Sequence, residues 1–173
     1  MKRLLIVVDY QNDFVNGSLG FQKAIELEDY IFNLIQQYKD NNDEIIYTMD
    51  THDTDYLDTY EGKNLPVPHC IKNSEGWKLY GKIEKALEGC QCFYKDTFPS
   101  LELANFLKDK NYSRIALVGV VSHICVLSNA IMVKSALPNT PIDIDMNATA
   151  SHDESTHQKC IDVLKSMHFN IIE

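Results

Sequence analysis

The chain has 173 residues, of which 45% are hydrophobic and 24% charged, enough for a single globular domain, residues 1–173, with a full core. Sixteen basic residues against 25 acidic ones leave a formal charge of −9. Without a basic stripe, that balance speaks against nucleic acid and anionic membranes as partners. No apolar run is long enough to span a bilayer. Met1-Lys2-Arg3-Leu4 passes directly into a strand pattern with no secretory signal, so a cytoplasmic location is expected.

Taken in chain order, the elements alternate. Leu4-Leu5-Ile6-Val7-Val8 is a continuous apolar run, as in a central strand buried on both faces, and it ends at Asp9. A helix is expected over 23–38, with Ile25, Tyr30, Ile31, Leu34 and Ile35 as its apolar stripe. Strand two covers 44–49. A polar segment of about thirty residues follows, and loops of that length are usually functional. A short helix at 82–87, strand three at 91–95, a helix at 101–108 and strand four at 115–120 come next. A helix at 122–135, strand five at 142–146, a helix at 153–167 capped by Ser151 or Asp153, and a last strand at 169–172 complete the pattern. Such alternation predicts an α/β fold, a three-layer α/β/α sandwich around a mainly parallel six-stranded sheet.

In such a sheet the strand ends converge on one crevice, and chemically potent residues follow four of the runs: Asp9, the pair Asp50 and His52, Lys95 and Cys125. Cys125 stands at a strand-to-helix junction, where the helix dipole favours thiolate and free N–H groups favour an oxyanion. It reads equally well as a buried structural thiol. Asp9 is either a base for that thiol or a cap or ion-pair partner. Lys95 either joins the acid and thiol or points to water. Asp50 and His52 leave an extended backbone on the same side, and Asp53, Asp55, Asp58, Glu61 and His69 lie further along. This set suits zinc, iron or manganese, or is a solvated acidic loop. The other cysteines (Cys70, Cys90, Cys92, Cys160) form no disulfide framework and are expected to be buried and reduced. His152, His157 and His168 are expected at the surface.

Together, Asp9-Tyr10-Gln11-Asn12-Asp13-Phe14, Lys95 and Gly119-Val120-Val121-Ser122-His123-Ile124-Cys125-Val126 resemble the isochorismatase-like cysteine hydrolases, and within them the nicotinamidases, over essentially the whole chain. The resemblance implies a catalytic triad of Asp9, Lys95 and Cys125. It also implies a cis peptide between Val120 and Val121, and an oxyanion hole from the N–H groups of Val121 and Cys125. Asp50-Thr51-His52 and Pro68-His69-Cys70 resemble nicotinamidase metal signatures, with Glu61 ahead of Asp58 as fourth ligand and zinc as the leading metal. Phe14 and Trp77 map to the aromatic walls around a pyridine ring. Ser122-His123 departs from the family's Thr-Asp pair. The implied activity is hydrolysis of a small-molecule amide, nicotinamide, to nicotinate and ammonia. A carbamoyl or ureido hydrolase and a non-catalytic metal- or ligand-binding protein on the same fold are the alternatives. Relatives often self-associate, so a homo-oligomer is compatible with the resemblance.

Overall fold

The computed structural model describes residues 1–173. Six parallel strands form one sheet in the order β3-β2-β1-β4-β5-β6. They are β1 (Arg3–Val8), β2 (Glu44–Asp50), β3 (Gln91–Lys95), β4 (Arg114–Val120), β5 (Ile142–Ala150) and β6 (Asn170–Ile172). The helices are α1 (Asn12–Val15), α2 (Gln22–Glu26), α3 (Glu28–Asp40), α4 (Tyr60–Asn64), α5 (Gly81–Ala86), α6 (Leu101–Leu107), α7 (Leu127–Ala136) and α8 (Glu154–Ser166).

Alternation along β1 builds two cores, because successive side chains leave a strand on opposite faces. Leu5 and Val7 pack with Ile31 and Ile35 of α3 and Ile83 of α5. Leu4, Ile6 and Val8 pack with Leu103 of α6, Val133 of α7 and Ile161 of α8. This is the expected three-layer sandwich, and its sheet is parallel throughout. From β1 the chain winds outward through β2 and β3, then returns to place β4 on β1's other side. The order reverses between β1 and β4, and in open α/β sheets ligands bind beyond the strand ends at that point.

Three elements differ from the sequence expectation. The helix expected at 23–38 is α2 followed by α3, with Leu27 between them, and α3 continues to Asp40. Tyr30 of the expected stripe is 41% exposed, whereas Tyr38 is buried. Residues 122–126 form a wide π-helical turn before α7 rather than its first α-turn. Strand β5 runs four residues past Met146. Its pairing with β4 jumps from Leu117↔Ile144 to Gly119↔Thr149, and the extra residues bulge out where Asp145 Oδ1 accepts the Asn147 N–H at 2.9 Å. The bulge interrupts the apolar pattern, which is why the strand reads as ending early.

Gly119 illustrates how tightly β4 lies on β1. Its φ is +109°, and a Cβ added there would fall 2.1 Å from the Val8 carbonyl oxygen. Only glycine fits that backbone and that approach. The five thiols are all unpaired; Cys70, Cys125 and Cys160 are buried, while Cys90 and Cys92 are half-buried rather than enclosed.

Candidate active site

Register alone brings four strand ends together. β1 pairs with β4 and β2, and β2 pairs with β3 so that Asp50 stands opposite Lys95. Asp9 follows β1 with φ +46°, a left-handed conformation that Asp tolerates better than most residues. Its carboxylate is completely buried. Lys95 Nζ lies 2.6 Å from Asp9 Oδ2, 3.1 Å from Asp50 Oδ1 and 3.7 Å from Cys125 Sγ, and it donates to the Thr97 carbonyl at 3.1 Å. Thr48 Oγ1 donates to Asp9 Oδ1 at 2.6 Å. The Asp9–Lys95 contact is a close, buried ion pair, and a carboxylate oxygen has two lone pairs, so Asp9 Oδ2 keeps an acceptor direction free beside Lys95.

Burial and charge compete at each of these groups. Burial alone would depress the Lys95 ammonium, but Asp9, Cys125 and Asp50 outweigh it and hold it well above its ordinary value. Burial pushes the Asp9 carboxyl up, and Lys95 offsets this only in part. A carboxylate so placed is a stronger base than an exposed one. Burial also pushes the Cys125 thiol well up, against the lowering effect of Lys95. Desolvation therefore works against the thiolate that the helix N-terminus was expected to favour.

The turn that presents Cys125 is held from both ends. Its peptide Val120–Val121 is cis. Val121 O accepts from the N–H groups of Ile124 and Val126, each at 3.2 Å, while the Val121 N–H donates to no backbone carbonyl. The fully buried Asn129 donates to the Cys125 carbonyl at 2.8 Å and the Phe98 carbonyl at 3.1 Å, tying the turn to the segment after β3.

The acidic loop closes on itself through two histidines. His52 Nε2 is 2.9 Å and His69 Nε2 3.4 Å from Asp50 Oδ2. Glu61 Oε1 is 3.8 Å from His52 Nε2 and 3.6 Å from His69 Nε2. Asp58 is exposed, so of the two candidates for a fourth position only Glu61 reaches the group. The ligand atoms of Asp50, His52 and His69 lie within 4.8 Å of one another. His69 Nδ1 faces the Val67 carbonyl at 2.8 Å, an acceptor only, so Nδ1 carries the hydrogen and Nε2 is the atom turned inward. Two imidazoles and two carboxylates converging in this way fit a divalent ion of borderline hardness. Despite burial, hydrogen bonds from His52 and His69, together with Lys95, hold Asp50 below the usual carboxylate range.

Both clusters open on one cavity of about 340 Å³. Its wall includes Phe14, Asp50, Glu61, His69, Val121 and Cys125, together with Leu19, Leu65, Phe98, Ile124 and His152. Phe14 reaches it as the resemblance implies, and its ring stands 5.4 Å from that of His69. Trp77 does not. It stacks on Tyr94 at 5.8 Å, donates from Nε1 to Thr51 Oγ1 at 2.9 Å, and borders a separate groove with Tyr47 and Met49. The ring is drawn there because β3 presents Tyr94 outward beside it, so the expectation for Trp77 is corrected. His157 is likewise not a surface residue: it is buried, and its Nδ1 lies 2.8 Å from Ser122 Oγ.

Gln11 was missed in the sequence. Fully buried, it donates from Nε2 to the carbonyls of Asp50 (2.9 Å) and Trp77 (2.8 Å) and accepts the Asp50 N–H at 2.8 Å. Asp13 was missed too; its Oδ2 accepts the Cys70 N–H at 2.8 Å and so secures the backbone beside His69. Both belong to the opening motif, where a polar residue at a strand end was the available signal.

A family model described as the isochorismatase domain matches residues 3–173. An uncharacterised isochorismatase family protein of Bacillus subtilis, PncA, is 32% identical over 169 residues, covering 91% of each chain. A nicotinamidase of Saccharomyces cerevisiae is 25% identical with 99% of each chain covered. Among solved structures, a nicotinamidase/pyrazinamidase PncA from Bacillus subtilis superposes with a TM-score of 0.89 at 30% identity, covering 100% of both chains. The chain belongs to the isochorismatase family and is an amidohydrolase whose likeness is to the nicotinamidases.

Proposed function

We propose that this amidohydrolase is a nicotinamidase, converting nicotinamide to nicotinate and ammonia through a thioester on Cys125. The observation that carries the reading is the shared cavity, onto which a thiol and a metal-type donor set both open. A pyridine carboxamide offers those two poles a carbonyl carbon and a ring nitrogen. The similarity to nicotinamidases of yeast and Bacillus subtilis supports the same choice. Asp50, His52 and His69 would hold a divalent ion, with Glu61 as fourth ligand. Zinc suits these donors best, ahead of iron or manganese. Bound there, the ion supplies a Lewis-acid anchor for the ring nitrogen.

Every chemical step belongs to the chain's own residues. Phe14 packs against the ring. As Cys125 Sγ attacks the carbonyl carbon, its proton passes to Asp9, whose raised basicity and free acceptor direction suit that transfer. Lys95 keeps the carboxylate placed and offsets charge on sulfur. The N–H groups of Val121 and Cys125 receive the developing oxyanion. Asp9 then gives its proton to the departing nitrogen, the C–N bond breaks, and ammonia leaves a thioester. Water attacks that thioester with Asp9 as base, releasing nicotinate and restoring the thiol.

An ammonia-release screen over nicotinamide, pyrazinamide and ureido compounds, with metal content measured on the same sample, tests the reading. Nicotinamide should be hydrolysed and a divalent ion should copurify. Cys125→Ala should lose at least about a thousandfold in rate. Preference for a ureido compound, or near wild-type ammonia release by Cys125→Ala, would overturn it.

A further inference from the structure

Every polar side chain that lines the Cys125 cavity has a role in the proposed function except His152. The sheet order sets β2, β1, β4 and β5 side by side. The metal-type donors follow β2, Cys125 follows β4, and His152 lies two residues beyond Ala150, which pairs with Val120. The cavity therefore has a donor end, a thiol and a far end beside β5, and His152 stands at the far end.

Its ring is braced there. Phe21 meets it edge-on at 6.2 Å and His123 at 5.7 Å. His123 Nδ1 lies 3.0 Å from Ser151 Oγ, which also accepts the Asp153 N–H at 3.2 Å, so residues on both sides of His152 are tied down. This gives a use to the Ser122-His123 departure from the family's Thr-Asp pair. The ring nitrogens of His123 and His157 are engaged by Ser151 and Ser122. His152 has no such partner in the protein, and a neutral imidazole has one acceptor nitrogen to offer.

We infer that His152 is a specificity-determining residue that accepts a hydrogen bond from the substrate's amide group and so selects primary amides. The inference rests on the amide hydrolysis proposed above. A primary amide carries two N–H groups. In the proposed mechanism Asp9, on the β1 side, serves the departing nitrogen from behind Cys125, and an N–H turned the other way is left for the β5 side, where His152 lines the cavity. An ester of the same acid has no N–H to give, so the residue should act on amides alone. A braced acceptor loses little freedom on binding, so its hydrogen bond contributes more of its energy to recognition.

The test pairs nicotinamide, pyrazinamide and benzamide with their methyl esters. It measures kcat/KM for ammonia release from each amide and Ki for each ester as a competitor. Because His152 is exposed, His152→Ala should fold normally. We expect it to lower kcat/KM for the preferred amide about tenfold, the loss of one well-placed hydrogen bond. The ester Ki should stay within twofold, and His152→Gln, which keeps an acceptor, should recover most of the amide rate. An equal loss for amide and ester, an amide rate within twofold of wild type, or no recovery with Gln would overturn the inference. Which ring is preferred tests the nicotinamidase reading separately, because the amide-to-ester comparison is read on whichever ring the enzyme takes.

Discussion

The two ends of the cavity are held together by different means. At the thiol end, Asp9 and Lys95 are a buried ion pair carried on strand ends, and each already has its counter-charge. At the other end, Asp50 at the end of β2 is joined by His52, Glu61 and His69 from the segment that follows, and the only cation they meet in the protein is Lys95, through Asp50. The first end is complete in itself; the second is built to gain from an added cation.

If that contrast is right, removing a charge should hurt the thiol end most. Lys95→Met would leave Asp9 buried without its partner, and breaking a buried pair in this way costs about 3–5 kcal/mol. Urea unfolding should show a lower midpoint and an unfolding free energy reduced by that much, and activity should vanish with it. A midpoint unchanged from wild type would mean that Asp9 finds solvent or another partner, and the picture of a dry, self-sufficient pair would fall.

Removing the metal should sharpen the other half of the comparison. With an ion present at about a hundred times its dissociation constant, binding to the folded state stabilises by about 2.7 kcal/mol. For a chain of this size that corresponds to roughly 5–10 °C in melting temperature. Chelation should therefore lower the melting temperature by that amount and abolish ammonia release, and zinc should restore both. A melting curve indifferent to chelator would refute a resident ion at Asp50, His52 and His69.

The smallest effects separate the two aromatics. Phe14→Ala should raise KM for nicotinamide about tenfold, since it removes a wall of the cavity. Trp77→Phe should leave KM within twofold and cost about 1 kcal/mol of stability, the price of the hydrogen bond to Thr51. If Trp77→Phe raised KM as much as Phe14→Ala, the placement of Trp77 outside the cavity would be wrong.

Legibility followed the same division. Asp9, Asp50, Lys95 and Cys125 stand at or just past apolar strands, and in a parallel sheet the strand ends share one edge. Their meeting could be read from pattern alone. His52 was legible because it is two residues from a strand end. Glu61 could be ranked above Asp58 only through resemblance, because a thirty-residue loop has no periodicity that says which carboxylate turns inward. Trp77 was misplaced because only the resemblance set it at the cavity wall, whereas in this chain it stacks on Tyr94, and His157 because its burial depends on packing against Ser122 rather than on its own helix pattern.

What the amino-acid order determined by itself was the sandwich, the strand ends and the residue types offered there, because hydrophobic periodicity is a local property that survives without knowledge of neighbours. What only the tertiary structure decided was which loop groups face the cavity, that burial raises the Cys125 thiol, and that Gln11 and Asp13 secure the metal-type donors. Those outcomes depend on desolvation and on hydrogen bonds between residues as much as 66 positions apart, and no stretch of sequence contains either quantity.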